Sequence, residues 1–254
     1  MQNKLIYITN TRIPSEKANS YQSMQMCNSF AKIYDEVQMW VPDGINTKEM
    51  EPYKKDPYSF YGIDKTFEIK KLFTIDYWWI HNLNQKIWSR LGAITFATSV
   101  LFKLKKEDFS TPIFTRDWYV LKTLLFGKKI GFIKNRIFYE AHKYSGRLIK
   151  NYKECDGLVV INNYLKRLHE EKGIKKILVA HDGVNFDEYE DISDYNYKLK
   201  DKYTLVYTGN LFAWKGVHTL VDSLKYIDKN VELIMVGGSK EVFYDFKNYV
   251  KKAN

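Results

Sequence analysis

Short runs of apolar and β-branched residues alternate along the chain with stretches where apolar residues recur every three or four positions. The runs cover residues 5–8, 37–41, 67–69, 112–115, 136–141, 157–161, 177–180, 203–207 and 231–236. Each is short, rich in β-branched or aromatic residues and bounded by turn residues, which predicts buried strands. Between the first two, Ala18, Tyr21, Met24, Cys27, Phe30, Ala31 and Tyr34 mark the buried stripe of a helix over 17–34. A second helix follows Arg116-Asp117 and closes at Gly127. A third is capped by Asn162 or Asn163, runs to Lys172 and ends at Gly173. Val217, Leu220, Val221 and Leu224 set another helix just after Lys215-Gly216, and a last one starts near Ser239. Residues 44–65 are irregular, rich in Pro, Tyr and Lys. Strands alternating with helices predict a parallel sheet with right-handed crossovers. The polar, acidic stretch 185–201 is the best linker. It separates a domain over 1–184 from a second βα series over 202–254, which has only two strands.

One segment fits two patterns. In residues 72–106, Trp78, Trp79 and Trp88 sit among Leu, Ile and Phe, followed by Lys103, Lys105 and Lys106. That suits core helices, and equally an interfacial amphipathic segment with aromatics at headgroup level and Lys on the phosphates. Its longest uncharged run, 91–102, falls well below the roughly 18 residues a membrane span requires.

Charge changes the picture for the first domain. The chain has 254 residues and a net charge of +10, unevenly placed: residues 1–182 carry 30 Lys/Arg against 19 Asp/Glu, the rest 10 against 11. The excess points to an anionic partner, whether nucleic acid, a phospholipid surface or a phosphorylated substrate, or else to a Lys-rich solvated surface. No aromatic-basic recognition motif accompanies it, which disfavours nucleic acid. Cys27 and Cys155 lie in apolar surroundings without metal-ligand spacing, as reduced thiols do in a cytoplasmic protein. No signal peptide pattern is visible.

The strands end in polar groups: Asn10, Arg116, His142, Asn162, His181. Open α/β sheets keep their ligand residues at the carboxyl ends of the strands. His142 stands out because Glu140 and Lys143 flank it. There is no nucleophile elbow, HExxH or paired-Cys metal site. Residues 203–238 read as strand, Gly-rich turn, Lys215, helix, strand and Gly237-Gly238. Such a turn can cradle a diphosphate, since glycines let backbone N–H groups approach and a Lys adds charge. It matches neither the Walker nor the dinucleotide glycine pattern, and it also describes an ordinary strand–loop–helix with a solvated Lys.

Three segments resemble the GT-B glycosyltransferases, specifically glycosyltransferase family four. TNTRIPSEKANSYQSMQMCNSFAK (9–32) is similar to that family's acceptor-side loop and first helix. FYEAHKYSG (138–146) resembles the strand that presents its cleft histidine. YTGNLFAWKGVHTLVDSL (207–224) resembles the opening of its nucleotide-sugar domain, and HDGVNFDEY (181–189) the segment before it. The resemblance implies an α/β fold of GT-B type, with a complete N-terminal Rossmann-like domain and the beginning of a second. It implies retaining transfer of a sugar from a nucleotide-diphosphate donor to a glycan or lipid-phosphate acceptor in surface polysaccharide synthesis, with no cofactor and no metal. By the same resemblance Lys215 grips the diphosphate, with Gly209, Asn210, Gly216, Gly237 and Gly238 around it. His142 contacts the donor sugar, and Arg12, Lys17, Asn19, Ser20 and Arg116 line the acceptor side. The family usually has an Arg where Asn210 stands, and its carboxylate pair lies downstream of the region this sequence covers. The expected setting is cytoplasmic, peripheral at an anionic membrane surface. A second chain completing the donor domain, or a purely acceptor- or partner-binding role within a glycosyltransferase complex, is the alternative.

Overall fold

The computed structural model describes residues 3–76, 85–185 and 203–253. The chain divides into two compact units, Met1–Gly183 and Val184–Asn254. Apart from Asn185, the stretch 185–201 lies outside the described residues or at their margin.

The first unit is a seven-stranded parallel sheet. Its strands are β1 (Lys4–Ile8), β2 (Glu36–Pro42), β3 (Glu68–Leu72), β4 (Ile113–Thr115), β5 (Ile137–Ala141), β6 (Gly157–Val160) and β7 (Ile177–Val179), in spatial order β3-β2-β1-β4-β5-β6-β7. Its helices are α1 (Ala18–Phe30), α2 (Pro57–Phe60), α3 (Gln85–Leu104), α4 (Trp118–Lys129), α5 (Ile149–Glu154) and α6 (Asn163–Glu170). Side chains of β1 alternate between two cores. Leu5 and Tyr7 join Met24 and Cys27 of α1 and Tyr58 of α2. Ile6 and Ile8 join Phe96 and Val100 of α3, Leu121 and Leu124 of α4, Tyr152 of α5 and Leu165 of α6. Helices thus cover both faces, which is why the strands read as continuous apolar runs.

The helices differ from the sequence pattern in instructive ways. The stripe expected for 17–34 is only partly buried. Met24 and Cys27 are, but Ala18 and Tyr21 are exposed, and Ser20 and Ser23 are buried instead. The segment 44–65 holds a 3-10 turn, Lys48–Tyr53, as well as α2. Gly127 does not close α4 but sits inside it. A Cβ there would come within 2.4 Å of Leu101 Cδ1, so the missing side chain lets α4 pack closely on α3. Asn162, not Asn163, caps α6, accepting from Leu165 N at 2.8 Å, and Gly173 after it takes φ +76°.

In the described part of residues 72–106, α3 carries apolar residues on two faces. Ala93, Phe96, Ala97, Val100 and Leu104 are buried on one face. Ile87, Leu91, Ile94 and Phe102 are exposed, and their spacing puts them on the opposite face. Trp78 and Trp79 lie outside the described residues. Among the described residues no helix is long and apolar enough to cross a membrane.

The second unit contains β8 (Tyr203–Thr208), α7 (Val217–Ser223), β9 (Val231–Val236) and α8 (Lys240–Ala253). The two strands pair in parallel from Tyr203↔Val231 to Thr208↔Val236. Leu211, Val217, Val221 and Phe246 form its small core, with Tyr207, Leu233 and Met235 packed against it. Both cysteines of the chain are buried and free, and burial pushes the Cys155 thiol up to about 12.

Asp156 ties the first unit's layers together. Its Oδ2 accepts from Ile137 N at 2.8 Å and pairs with Lys128 Nζ at 2.5 Å. Burial opposes its ionised form, but the Lys128 and Ile137 contacts outweigh that and hold the carboxyl below its usual range. A carboxyl depressed in the folded state adds stability above its unfolded value and loses it as pH falls through the folded one. Below about pH 4, urea unfolding of the wild type should therefore lose stability more steeply than that of Asp156→Asn. Equal slopes would assign the acid sensitivity to other groups.

Candidate functional site

The order of strands reverses between β1 and β4, because β2 and β3 extend one way and β4 to β7 the other. Loops diverge at such a switch point and leave a crevice at the carboxyl ends. Arg12 follows β1, Arg116 follows β4, and His142 follows β5 one strand further on. Asp117 starts α4 beside them. Its carboxylate accepts from Val120 N at 2.9 Å, although burial pushes it above its usual range.

A polar network joins these loops. His142 Nε2 lies against Glu140 Oε1, and the Glu140 carboxylate is buried, with its Oε2 lacking a partner among the described residues. A carboxylate only accepts, so His142 Nε2–H donates and the imidazole is held by its neighbour two residues earlier. Gln22 of α1 has its amide nitrogen 3.5 Å from the same ring nitrogen, where two donors would face each other. That amide is better satisfied by Asp182 Oδ1 at 3.2 Å, while Gln22 Oε1 accepts from Arg116 at 2.7 Å. Gln22 thus bridges the loops after β4 and β7 beside the histidine.

Beside this network lies a cavity of about 720 Å³, lined by residues that include Arg116, Trp118, Lys122, Tyr139, Glu140, His142, Lys143, Arg147 and Tyr152. Its volume lies within the range of small-molecule sites. Tyr139 and Tyr152 have ring centroids 5.2 Å apart. Burial raises both phenols, Tyr152 to about 12, so they carry no charge near neutral pH.

The remaining residues expected on the acceptor side are spread along the loop after β1 and the first turn of α1. Arg12 donates to Ile45 O at 2.8 Å. Asn19 donates to Thr11 Oγ1 at 2.9 Å. Lys17 is exposed at the N-cap of α1, and Ser20 is fully buried.

In the second unit the glycines have a structural reason of their own. Gly209 ends β8 at φ +145° and Gly237 ends β9 at φ +131°. A Cβ on Gly237 would stand 2.2 Å from Gly209 O, so the two strand ends approach backbone to backbone. Gly238 lies against Leu211. Tyr207 Oη donates to Asn210 O at 2.9 Å, pinning the turn. Lys215 Nζ sits 4.5 Å from the ring centre of the exposed Trp214, and Gly216 starts α7 at φ +76°. The residues named from sequence for a diphosphate are therefore gathered at one end of the small sheet.

Gln22, Lys122 and Arg147 were not foreseen as site residues. Gln22 sits on a helix face where sequence shows only another polar residue. Lys122 and Arg147 belong to the basic stretch after Arg116, where composition alone does not separate a lining cation from a solvated one.

No protein-family model matches the chain. It is 30% identical over 118 residues to an uncharacterized glycosyltransferase of Methanocaldococcus jannaschii, the match covering 43% of this chain and 30% of that protein. Among solved structures it resembles Anabaena HepE in complex with UDP, at TM-score 0.64 and 12% identity over 98% of this chain and 66% of that one. It likewise resembles the apo form of WaaB, a lipopolysaccharide outer core galactosyltransferase, at TM-score 0.63 and 14% identity over 98% of this chain and 65% of that one. The chain thus spans less than two thirds of the length of these relatives. Its fold is of the GT-B glycosyltransferase type.

The Gly209–Gly237 contact gives a direct check on the second unit. Gly237→Ala must displace backbone, not a flexible side-chain tip, and should destabilise this unit by about 2 kcal/mol or more. Gly183→Ala, where a Cβ meets nothing within 4 Å, should stay within about 0.5 kcal/mol of wild type. Thermal melts of the two variants measure the difference.

Proposed function

We propose that the chain is the acceptor-side unit and part of the donor-side unit of a retaining family-four glycosyltransferase. It moves a sugar from a nucleotide-diphosphate donor to a glycan or lipid-linked acceptor hydroxyl in surface polysaccharide synthesis. The observation that carries this reading is the convergence of Gly209, Asn210, Lys215, Gly216, Gly237 and Gly238 at one end of β8 and β9 in a GT-B fold. The glycosyltransferase name of the Methanocaldococcus relative and the UDP in the HepE complex support it. In transfer, the bond from the anomeric carbon to the phosphate oxygen breaks and one to the acceptor oxygen forms, the acceptor hydroxyl giving up its proton to the departing diphosphate, on which negative charge grows as the bond breaks. Lys215 and the backbone N–H groups of the glycine turns are preset donors for that charge. In this reading no metal is needed. His142, oriented by Glu140, touches the transferred sugar, and Arg12, Lys17, Asn19, Ser20 and Arg116 serve the acceptor side.

Lys215→Ala in the transfer-competent protein should lower kcat for transfer by about 10²–10³-fold, the effect of removing one preset donor. Unchanged kinetics would remove Lys215 from the site.

The proposed setting is the surface of an anionic bilayer. The exposed stripe of Ile87, Leu91, Ile94 and Phe102 lies on a segment, 85–106, with no acidic residue and with Lys86, Arg90, Lys103, Lys105 and Lys106. Apolar side chains flanked only by cations suit insertion among anionic headgroups. Ile94→Ser with Phe102→Ser should abolish co-flotation with vesicles containing phosphatidylglycerol. Flotation equal to that of wild type, or equal wild-type recovery with neutral vesicles, would contradict this setting.

A further inference from the structure

We infer that Trp214 is a positioning residue for Lys215: its indole face orders the lysine ammonium at the glycine turn without neutralising it. The role rests on the diphosphate reading above and adds the residue through which Lys215 is held in place.

Packing does not account for Trp214. It is 75% exposed, while the small core of its unit is made by Leu211, Val217, Val221 and Phe246. Nor does it stand alone on the surface. The ring of Phe212, itself half-exposed, stacks on it at 6.1 Å between centroids and 18° between planes. Lys215 Nζ lies 4.5 Å from the centre of the Trp214 ring, the shortest lysine–ring approach among the described residues. Trp214 and Lys215 are consecutive in one 3-10 turn, Ala213–Lys215. Consecutive side chains of such a turn leave its axis about 120° apart, so Lys215 reaches the indole only by folding back across it. The turn beneath them is closed by Lys215 N donating to Phe212 O at 2.9 Å and Gly216 N to Ala213 O at 3.0 Å.

The chemistry of the contact suits a cation that must meet an anion. Lys215 is the only Lys or Arg between Lys202 and Lys225, so the loop after β8 carries a single cation. A free lysine on a flexible stem loses rotamer freedom when it grips a ligand, and an ordered one loses less. A carboxylate would also order it, as Asp156 does Lys128, but would cancel its charge. An indole face attracts the ammonium through its quadrupole and carries no net charge. It occupies one side of a group that has three N–H donors. Lys215 is therefore held with its charge intact and with donors left for phosphate oxygens, and Phe212 braces the ring that holds it.

Titration calorimetry of the full chain with UDP tests this role. Trp214→Ala and Trp214→Leu should each weaken UDP binding about threefold, the size of an exposed cation–π contact. Trp214→Phe keeps an aromatic face and should stay within about twofold of wild type. Because Trp214 is exposed, none of the three should change the melting temperature. In the Lys215→Ala background, Trp214→Ala should cost nothing further, since its effect passes through the lysine; a merely structural role would weaken binding in both backgrounds. Tighter binding by Trp214→Ala would show the indole competing with the ligand for Lys215, and overturns the proposal. Unchanged affinity, Trp214→Leu binding as well as Trp214→Phe, or a further loss in the Lys215→Ala background overturns it equally. Each of those results, with UDP still bound by the wild type, leaves the diphosphate reading standing. No UDP binding by the wild type overturns both.

Discussion

The first unit depends on one constraint: β1 lies inside the sheet, paired in parallel with β2 on one side and β4 on the other. From β1 to β3 the chain winds outward in one direction, and it must then cross to the far side of β1 to begin β4. The loops after β1 and β4 consequently part company, and the crevice they leave is where polar groups collect. Burial holds this centre in place. Ile6, Tyr7 and Ile8 are fully buried, and Tyr7 stacks on Phe114 of β4 at 5.6 Å between ring centres. Arg116, Gln22 and the Glu140–His142 pair owe their proximity to this pairing, not to nearness in sequence.

The second unit solves a related problem with less material. Its two strands end in glycines because the backbones at Gly209 and Gly237 approach too closely for a Cβ. That packing requirement and the demands of a phosphate cradle call for the same residue type. The glycines alone therefore do not separate structure from function. Lys215, held over Trp214 at the edge of the turn, is the residue on which the proposed diphosphate site chiefly turns.

Much of this was legible from periodicity and strand-end chemistry. The nine apolar runs match the nine described strands, and in the centre of the first unit's sheet, buried on both faces, the apolar signature is uninterrupted. Helix faces were harder to read. Ser20 and Ser23 are buried in α1, whereas the apolar stripe had marked Ala18 and Tyr21 for the core, because small polar side chains carry no apolar signal. Gly127 looked like a helix end, but its role is steric and depends on Leu101, a residue of another helix. At the site, His142 and Arg116 were visible as strand-end residues. Gln22 was not, because its role comes from two partners on separate loops, Arg116 and Asp182, and strand order is absent from a one-dimensional pattern.

The account rests on a nucleotide diphosphate binding at the glycine turns of the second unit. Amide chemical-shift mapping of the isotopically labelled chain during titration with UDP tests that directly. The predicted result is saturable shifts at Gly209, Gly216, Gly237 and Gly238, with the Lys215 amide among them. Shifts confined to the first unit's sheet, or no saturable shift at all, would contradict it.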